Sequence, residues 1–196
     1  MDSRILKSAE HYVIELFEKN YDETLVFHNL NHTKNVVSRT KEIAEHYDVS
    51  DKEMFTLLIA AWFHDTGHLF TIPFKHEKKS AELMKDFMHG LIEYDTLISE
   101  IEHCILATKF PTHPDNFLEQ IICDADTYHL GTDAFKETNK QVMKEERLKK
   151  GSLNKETFLK ETLEMLNAHV YYTKYCQEKL NEGKMKNSQM ILMDIL

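Results

Sequence analysis

An all-α fold with a single domain is predicted by three features of this sequence. Apolar residues recur at helical spacing along almost the whole chain. Only 5 Gly and 3 Pro occur in 196 residues, too few turn formers for the many tight connections of a sandwich or barrel. A hydrophobic content of 42% excludes a disordered chain, and the length is sufficient to bury one sizeable core.

The elements follow in order. Residues 4–19 place Ile5, Leu6, Ala9, Val13, Leu16 and Phe17 at helical spacing, and residues 30–47 do the same with Val36, Val37, Ile43, Ala44 and Tyr47. Ser50 and Glu53 form a capping box that opens a helix over 51–64. From Met54 to Phe63 this helix is apolar almost all round, so it is the expected central helix, with Gly67 as its stop. A helix over about 76–89 stops at Gly90, and another covers 95–108. Pro111 and Pro114 bound a loop before a helix over 117–129, capped by Asp115 or Asn116. Residues 132–149 read as a polar helix. Asn154 opens a long helix to about residue 181 with Gly183 as its stop, and 184–195 form a short amphipathic helix. No internal repeat, low-complexity tract or linker divides residues 1–196.

The charge balance is acidic, with 24 Lys+Arg against 33 Asp+Glu and a net charge of -9, which argues against a nucleic-acid partner. Residues 136–160 depart from it with eight basic and four acidic residues, either a solvated helical hairpin or a basic rim for an anionic substrate. The first residues show no secretory pattern, and the apolar run from Leu57 to Phe63 is too short to span a membrane. Cys104, Cys123 and Cys176 are odd in number and form no CxxC, so neither a disulfide framework nor a thiolate zinc site is expected. The expected setting is cytoplasmic, without a membrane partner. Met190-Ile191-Leu192-Met193 is a candidate homodimer contact or a core clasp.

Twelve histidines are the unusual count, because imidazole serves metals and proton transfer at neutral pH. The chemistry centres on His64-Asp65. A carboxylate beside an imidazole, directly after a mostly apolar run, is costly to desolvate without a partner. A divalent metal is the natural compensation. Successive helical residues point about 100° apart, so both side chains reach one ion only at a helix end, which Gly67 permits. His32, at the start of the second helix, and Asp124 or Asp126, after the apolar run Ile121-Ile122-Cys123, are the remaining candidate ligands. Two imidazoles with two carboxylates suit Mn, Fe, Co, Ni or Zn, with Mg a further option, better than Ca. Four protein ligands in an octahedral shell leave room for water and substrate, so the ion can polarise a substrate oxygen and activate water.

These residues resemble a known family. His32, His64-Asp65 and Asp126, in that order, are similar to the H…HD…D signature of the HD-domain metal-dependent phosphohydrolases. Phe27-His28-Asn29-Leu30-Asn31-His32-Thr33 resembles the family's aromatic-His-Asn-x-x-His-Thr segment, and His64-Asp65-Thr66-Gly67-His68 its HDxGH form. His76-Glu77-Lys78-Lys79-Ser80-Ala81 resembles HExxSA, and the segment from Asp124-Ala125-Asp126 to Leu130-Gly131 resembles DADxxxLG. The resemblance covers residues 27–131. It implies a helical core over about 25–131, a C-terminal helical extension over 132–196, and hydrolysis of phosphoester or phosphoanhydride bonds, usually in nucleotides. Alignment of the final Ala-Asp step favours Asp126 over Asp124 as fourth ligand, Asp124 then hydrogen-bonding a neighbouring segment.

His68 follows as the expected phosphate contact or general acid; similar HDxGH proteins that hydrolyse deoxynucleotide triphosphates carry this His in the active site. His76 reads as a phosphate contact or, in the family's binuclear pattern, as a ligand of a second metal with His103. Lys109 and Arg147 are further substrate-binding candidates. His28 reads as a packing or supporting residue, His169 as helix packing, and His11, His46, His89, His113 and His129 as surface or cap residues. The expected activity is metal-dependent hydrolysis of a nucleotide or related small phosphate ester or anhydride through an activated water, with Asp65 and His68 central to catalysis. The alternatives are a nucleotide-binding signalling module with weak or lost catalysis and, on a fuller ligand set, a di-iron oxygenase of the same fold.

Overall fold

A computed structural model describes residues 3–70, 75–91 and 95–196. Among these residues there are nine α-helices and no strand: α1 (Ser3–Lys19), α2 (Leu30–His46), α3 (Asp51–Phe63), α4 (His76–Met88), α5 (Asp95–Ala107), α6 (Phe117–Asp126), α7 (Phe135–Lys150), α8 (Lys155–Ala168) and α9 (Lys174–Ile195). Short 3-10 turns at Thr66–Leu69 and Tyr128–Gly131 follow α3 and α6. The fold is all-α, as the periodicity predicts.

Helix α3 is the central element, packed by α1, α2, α4, α5 and α6. Ser50 starts it: its hydroxyl accepts from the Glu53 N–H, and the Glu53 carboxylate accepts from the Ser50 N–H at 2.8 Å. Phe55, Leu57, Ile59, Ala60, Ala61 and Phe63 are fully buried; each of the larger ones contributes about 1.5–3 kcal/mol by leaving water. Because this helix is enclosed on all sides, whatever stands at its C-terminal end is held inside the protein.

The helix ends at Phe63, four residues before Gly67, and Gly67 is not left-handed. Its role is close approach: a Cβ there would lie 2.0 Å from the His76 carbonyl oxygen. The Gly67 N–H donates to Ser80 Oγ at 2.9 Å. The missing side chain lets the 3-10 turn lie directly on the start of α4.

The expected long helix to residue 181 is two helices. Chain 169–173 leaves the helical path, and Thr173 restarts it as the N-cap of α9, accepting from the Cys176 N–H. The cause lies elsewhere in the chain: buried Asp124 Oδ1 accepts the Tyr172 N–H at 2.8 Å, and its Oδ2 accepts the Thr173 N–H at 2.8 Å and hydroxyl at 2.6 Å. Gly183 sits inside α9 and stops nothing. A Cβ there would lie 2.0 Å from the Gly131 carbonyl oxygen, so this glycine admits the Tyr128–Gly131 turn against α9. The expected terminal helix over 184–195 is the continuation of α9. In it Ile191 is buried with Leu130, Phe135, Phe158, Leu159 and Leu166 in a second apolar cluster, while Leu192 and Met193 are exposed. The expected helix over 117–129 ends at Asp126.

A polar knot ties α2 to α9. Glu42 accepts from Tyr128, Tyr175, Lys179 and Arg39. Burial alone would raise its carboxyl, but these donors outweigh it and bring it from 4.5 to about 2. A depressed carboxyl stabilises the fold above the unfolded value and loses that contribution as pH falls through the folded value. Wild type is therefore expected to exceed Glu42→Gln in thermal stability at pH 7 by about 1 kcal/mol, the modest figure appropriate to a solvent-screened group. The difference should shrink between pH 4.5 and about 2, as read from paired melting curves.

The three cysteines are buried and unpaired, and burial raises the thiols of Cys104 and Cys176 to about 12. No described helix is long and apolar enough to cross a membrane.

Candidate metal centre

Four side chains from three helical ends meet beside α3. Asn29 caps α2, its side chain accepting from the Asn31 and His32 N–H groups, which sets His32 in the first turn. His64 is the C-cap of α3, and Asp65 turns out of the helix at φ -108 and ψ 0, so two adjacent residues reach one point. Asp126 is the last residue of α6. His64 Nε2 lies 3.4 Å from His32 Nε2, 3.3 Å from Asp65 Oδ2 and 3.6 Å from Asp126 Oδ1. His32 Nε2 lies 3.4 Å from Asp65 Oδ2 and 3.1 Å from Asp126 Oδ1.

These separations match donor atoms about 2.0–2.2 Å from a common ion. Three further observations fit a cation. His64 Nδ1 is 2.8 Å from the Ala61 carbonyl oxygen, which fixes Nδ1–H and leaves Nε2 as the atom facing the cluster. Asp65 Oδ2 is buried with no hydrogen-bond partner, a costly state that a cation relieves. The charges agree: burial alone would raise Asp65 and lower His64, yet each holds the other ionised, Asp65 well below the carboxylate range and His64 well above the imidazole range. Burial would also raise Asp126, and His32 and His64 hold it down. A proton on His64 supplies positive charge where a dication satisfies all four groups. Among the described residues two groups are compact enough to hold a metal ion: His32, His64 and Asp65, and His28, Asp65 and His68, which share Asp65.

Three more imidazoles stack at the rim. The His68 ring lies 3.8 Å from that of His76 and 4.3 Å from that of His28. His68 is 3% exposed by side chain, and neither ring nitrogen has a hydrogen-bond partner. Burial, with His28 and His76 nearby, lowers it to about 2, so it is a neutral imidazole. His76 Nε2 stands 3.4 Å from Asp65 Oδ1, placed there by the Gly67–His76 approach. Asp124, two residues before Asp126, faces away and pins the α8–α9 connection.

Lys109, just after α5, and Arg147, on α7, are exposed, and among the described residues neither lines the clefts that border the cluster. His103 is exposed on α5. Two residues that sequence reasoning passed over stand close to the cluster. The His129 ring packs 5.2 Å from Phe27 and 6.4 Å from His32; burial and His32 lower it to about 4. Its place in the DADxxxLG-like segment was the available signal. Glu145, buried on α7, binds His28 from 117 positions away, and no local pattern marks it.

A cleft of about 660 Å³ runs past His32, Arg39, Asp126 and His129. A second, of about 440 Å³, runs past His28, Asp126 and His129 toward α8. Residues 29–131 match the family model described as HD domain. No curated protein and no solved structure matches the chain.

Proposed function

The chain belongs to the HD-domain superfamily of metal-dependent phosphohydrolases, and on that premise we propose that it hydrolyses a nucleotide or a related small phosphate ester or anhydride. In this reading His32, His64, Asp65 and Asp126 hold one divalent transition-metal ion. The observation that supports it best is the convergence of their donor atoms within 3.1–3.6 Å of His32 or His64 Nε2 around the unpartnered Asp65 Oδ2. The exposed position of His103 takes it out of a second site with His76 and disfavours the fuller ligand set of a di-iron oxygenase.

When bound, such an ion polarises a phosphoryl oxygen and lowers the pKa of water. The chain supplies the rest. Ala61 O orients His64 through Nδ1–H, and the Asp65 carboxylate keeps His76 within reach at 3.4 Å. His68, neutral and with both ring nitrogens unpartnered, donates an N–H to a phosphate oxygen and gains the partner it lacks. The His64 and Asp65 side chains, 0% and 5% exposed, are held away from bulk water, which strengthens each interaction.

The test is phosphate release from a panel of nucleotides and sugar phosphates, with Mn, Fe, Co, Ni, Zn and Mg supplied in turn. Release that requires one of the metals is expected. Absence of release under every metal, with tight nucleotide binding, would replace this reading with that of a signalling module.

A further inference from the structure

We infer that His169 is a positioning residue that aims the Asp126 carboxylate into the metal centre, acting through Thr127. This rests on the reading of Asp126 as a metal ligand. Residue 169 lies outside the family-matched segment, in the connection 169–173 between α8 and α9.

The four ligands are not anchored alike. His32 sits in a helical turn capped by Asn29, and His64 is fixed by Ala61 O. Asp65 opens the turn that Gly67 seats on α4. Asp126 is the last residue of α6, where a helix frays most readily. Its side chain is the most exposed of the four, 22% against 0–8%. Its carboxylate meets the imidazoles of His32 and His64, so the backbone that carries it sets its aim.

The C-terminal extension holds that backbone. His169 is 4% exposed, and its Nε2 lies 2.9 Å from Thr127 Oγ1. The Thr127 hydroxyl donates to Cys123 O at 2.7 Å, so it accepts from His169, whose Nε2 carries the hydrogen. Nδ1 faces Lys184 Nζ at 3.3 Å and accepts from it, and Lys184 also donates to the His169 carbonyl oxygen. The Tyr171 hydroxyl donates to Thr127 O at 3.2 Å. The residue after Asp126 is thus held by its hydroxyl and its carbonyl together. The same stretch of the extension takes its own anchor from Asp124. A buried histidine engaged at both nitrogens has no lone pair or proton left for a substrate, which leaves positioning as its role.

Cobalt(II) binding tests this without turnover: affinity is read by competition with a chelator, and visible absorption reports ligand geometry. His169→Leu and Thr127→Val break the same hydrogen bond from opposite sides. Each is expected to weaken cobalt binding by about 10-fold, the lower range for losing a group that orients a ligand, and to alter the cobalt spectrum. The double variant should be about as weak as either single one, since both remove one shared interaction. His169→Gln, whose amide N–H can stand in for Nε2–H, should stay within about threefold of wild type. Val13→Ala, in the core of α1, lowers stability without touching these bonds and should leave cobalt affinity unchanged. Wild-type affinity in both His169→Leu and Thr127→Val, losses that multiply in the double variant, or an equal loss in His169→Gln or Val13→Ala would overturn the proposal. Thr127→Val keeps the side-chain shape and carries the test alone if His169→Leu does not fold. Wild-type protein that takes up no cobalt would instead remove the metal-centre reading, and this inference with it.

Discussion

Asp65→Ala should abolish metal-dependent phosphate release, lowering kcat by at least about 10²–10³-fold, the scale seen when one electrostatic stabiliser is lost. Two roles end at once. Oδ2 is the buried, unpartnered oxygen 3.3 Å from His64 Nε2 and 3.4 Å from His32 Nε2, and Oδ1 keeps His76 at 3.4 Å. Asp65 makes no helix-capping hydrogen bond, so its removal leaves the helix ends intact, and helix content separates a lost centre from a lost fold. Circular dichroism should show unchanged helix content while phosphate release disappears. Activity that survives this change would remove Asp65 from the centre.

Asp124→Ala should have the largest effect on stability. Its carboxylate is buried and satisfies the Tyr172 N–H, the Thr173 N–H and the Thr173 hydroxyl. Truncation orphans three donors at the only point where α8 turns into α9. Each unmet buried donor costs about 1–3 kcal/mol, and partial access of water brings the expected sum to about 3 kcal/mol. For a chain of this size that corresponds to a fall in Tm of roughly 6–12 °C. Metal content should change little, since Asp124 faces away from the cluster. A loss of metal with unchanged Tm would reverse the assignment of the two aspartates.

These two residues also show what the sequence carries and where it is silent. Asp124 and Asp126 share a segment and a residue type, and only long-range packing separates them. The break between α8 and α9 was legible only in part: His169-Val170-Tyr171-Tyr172-Thr173 is a run of weak helix formers, but the carboxylate that fixes the chain there lies 48 positions away from Tyr172. Gly67 and Gly183 read as helix stops because close approach to a partner backbone leaves no trace in local sequence. By contrast the capping box at Ser50, the apolar α3 and the order of His32, His64-Asp65 and Asp126 are local or patterned, and were readable. The Glu145–His28 contact joins two segments with no shared pattern, so it required the fold.

The central claim is one divalent ion held by four residues. Metal analysis of purified, metal-reloaded protein tests it most directly. The expected result is about one equivalent per chain, as a single centre of the octahedral type requires, falling sharply in Asp65→Ala and Asp126→Ala and retained in Asp124→Asn. Two equivalents per chain, or one equivalent that persists in both Asp65→Ala and Asp126→Ala, would contradict it.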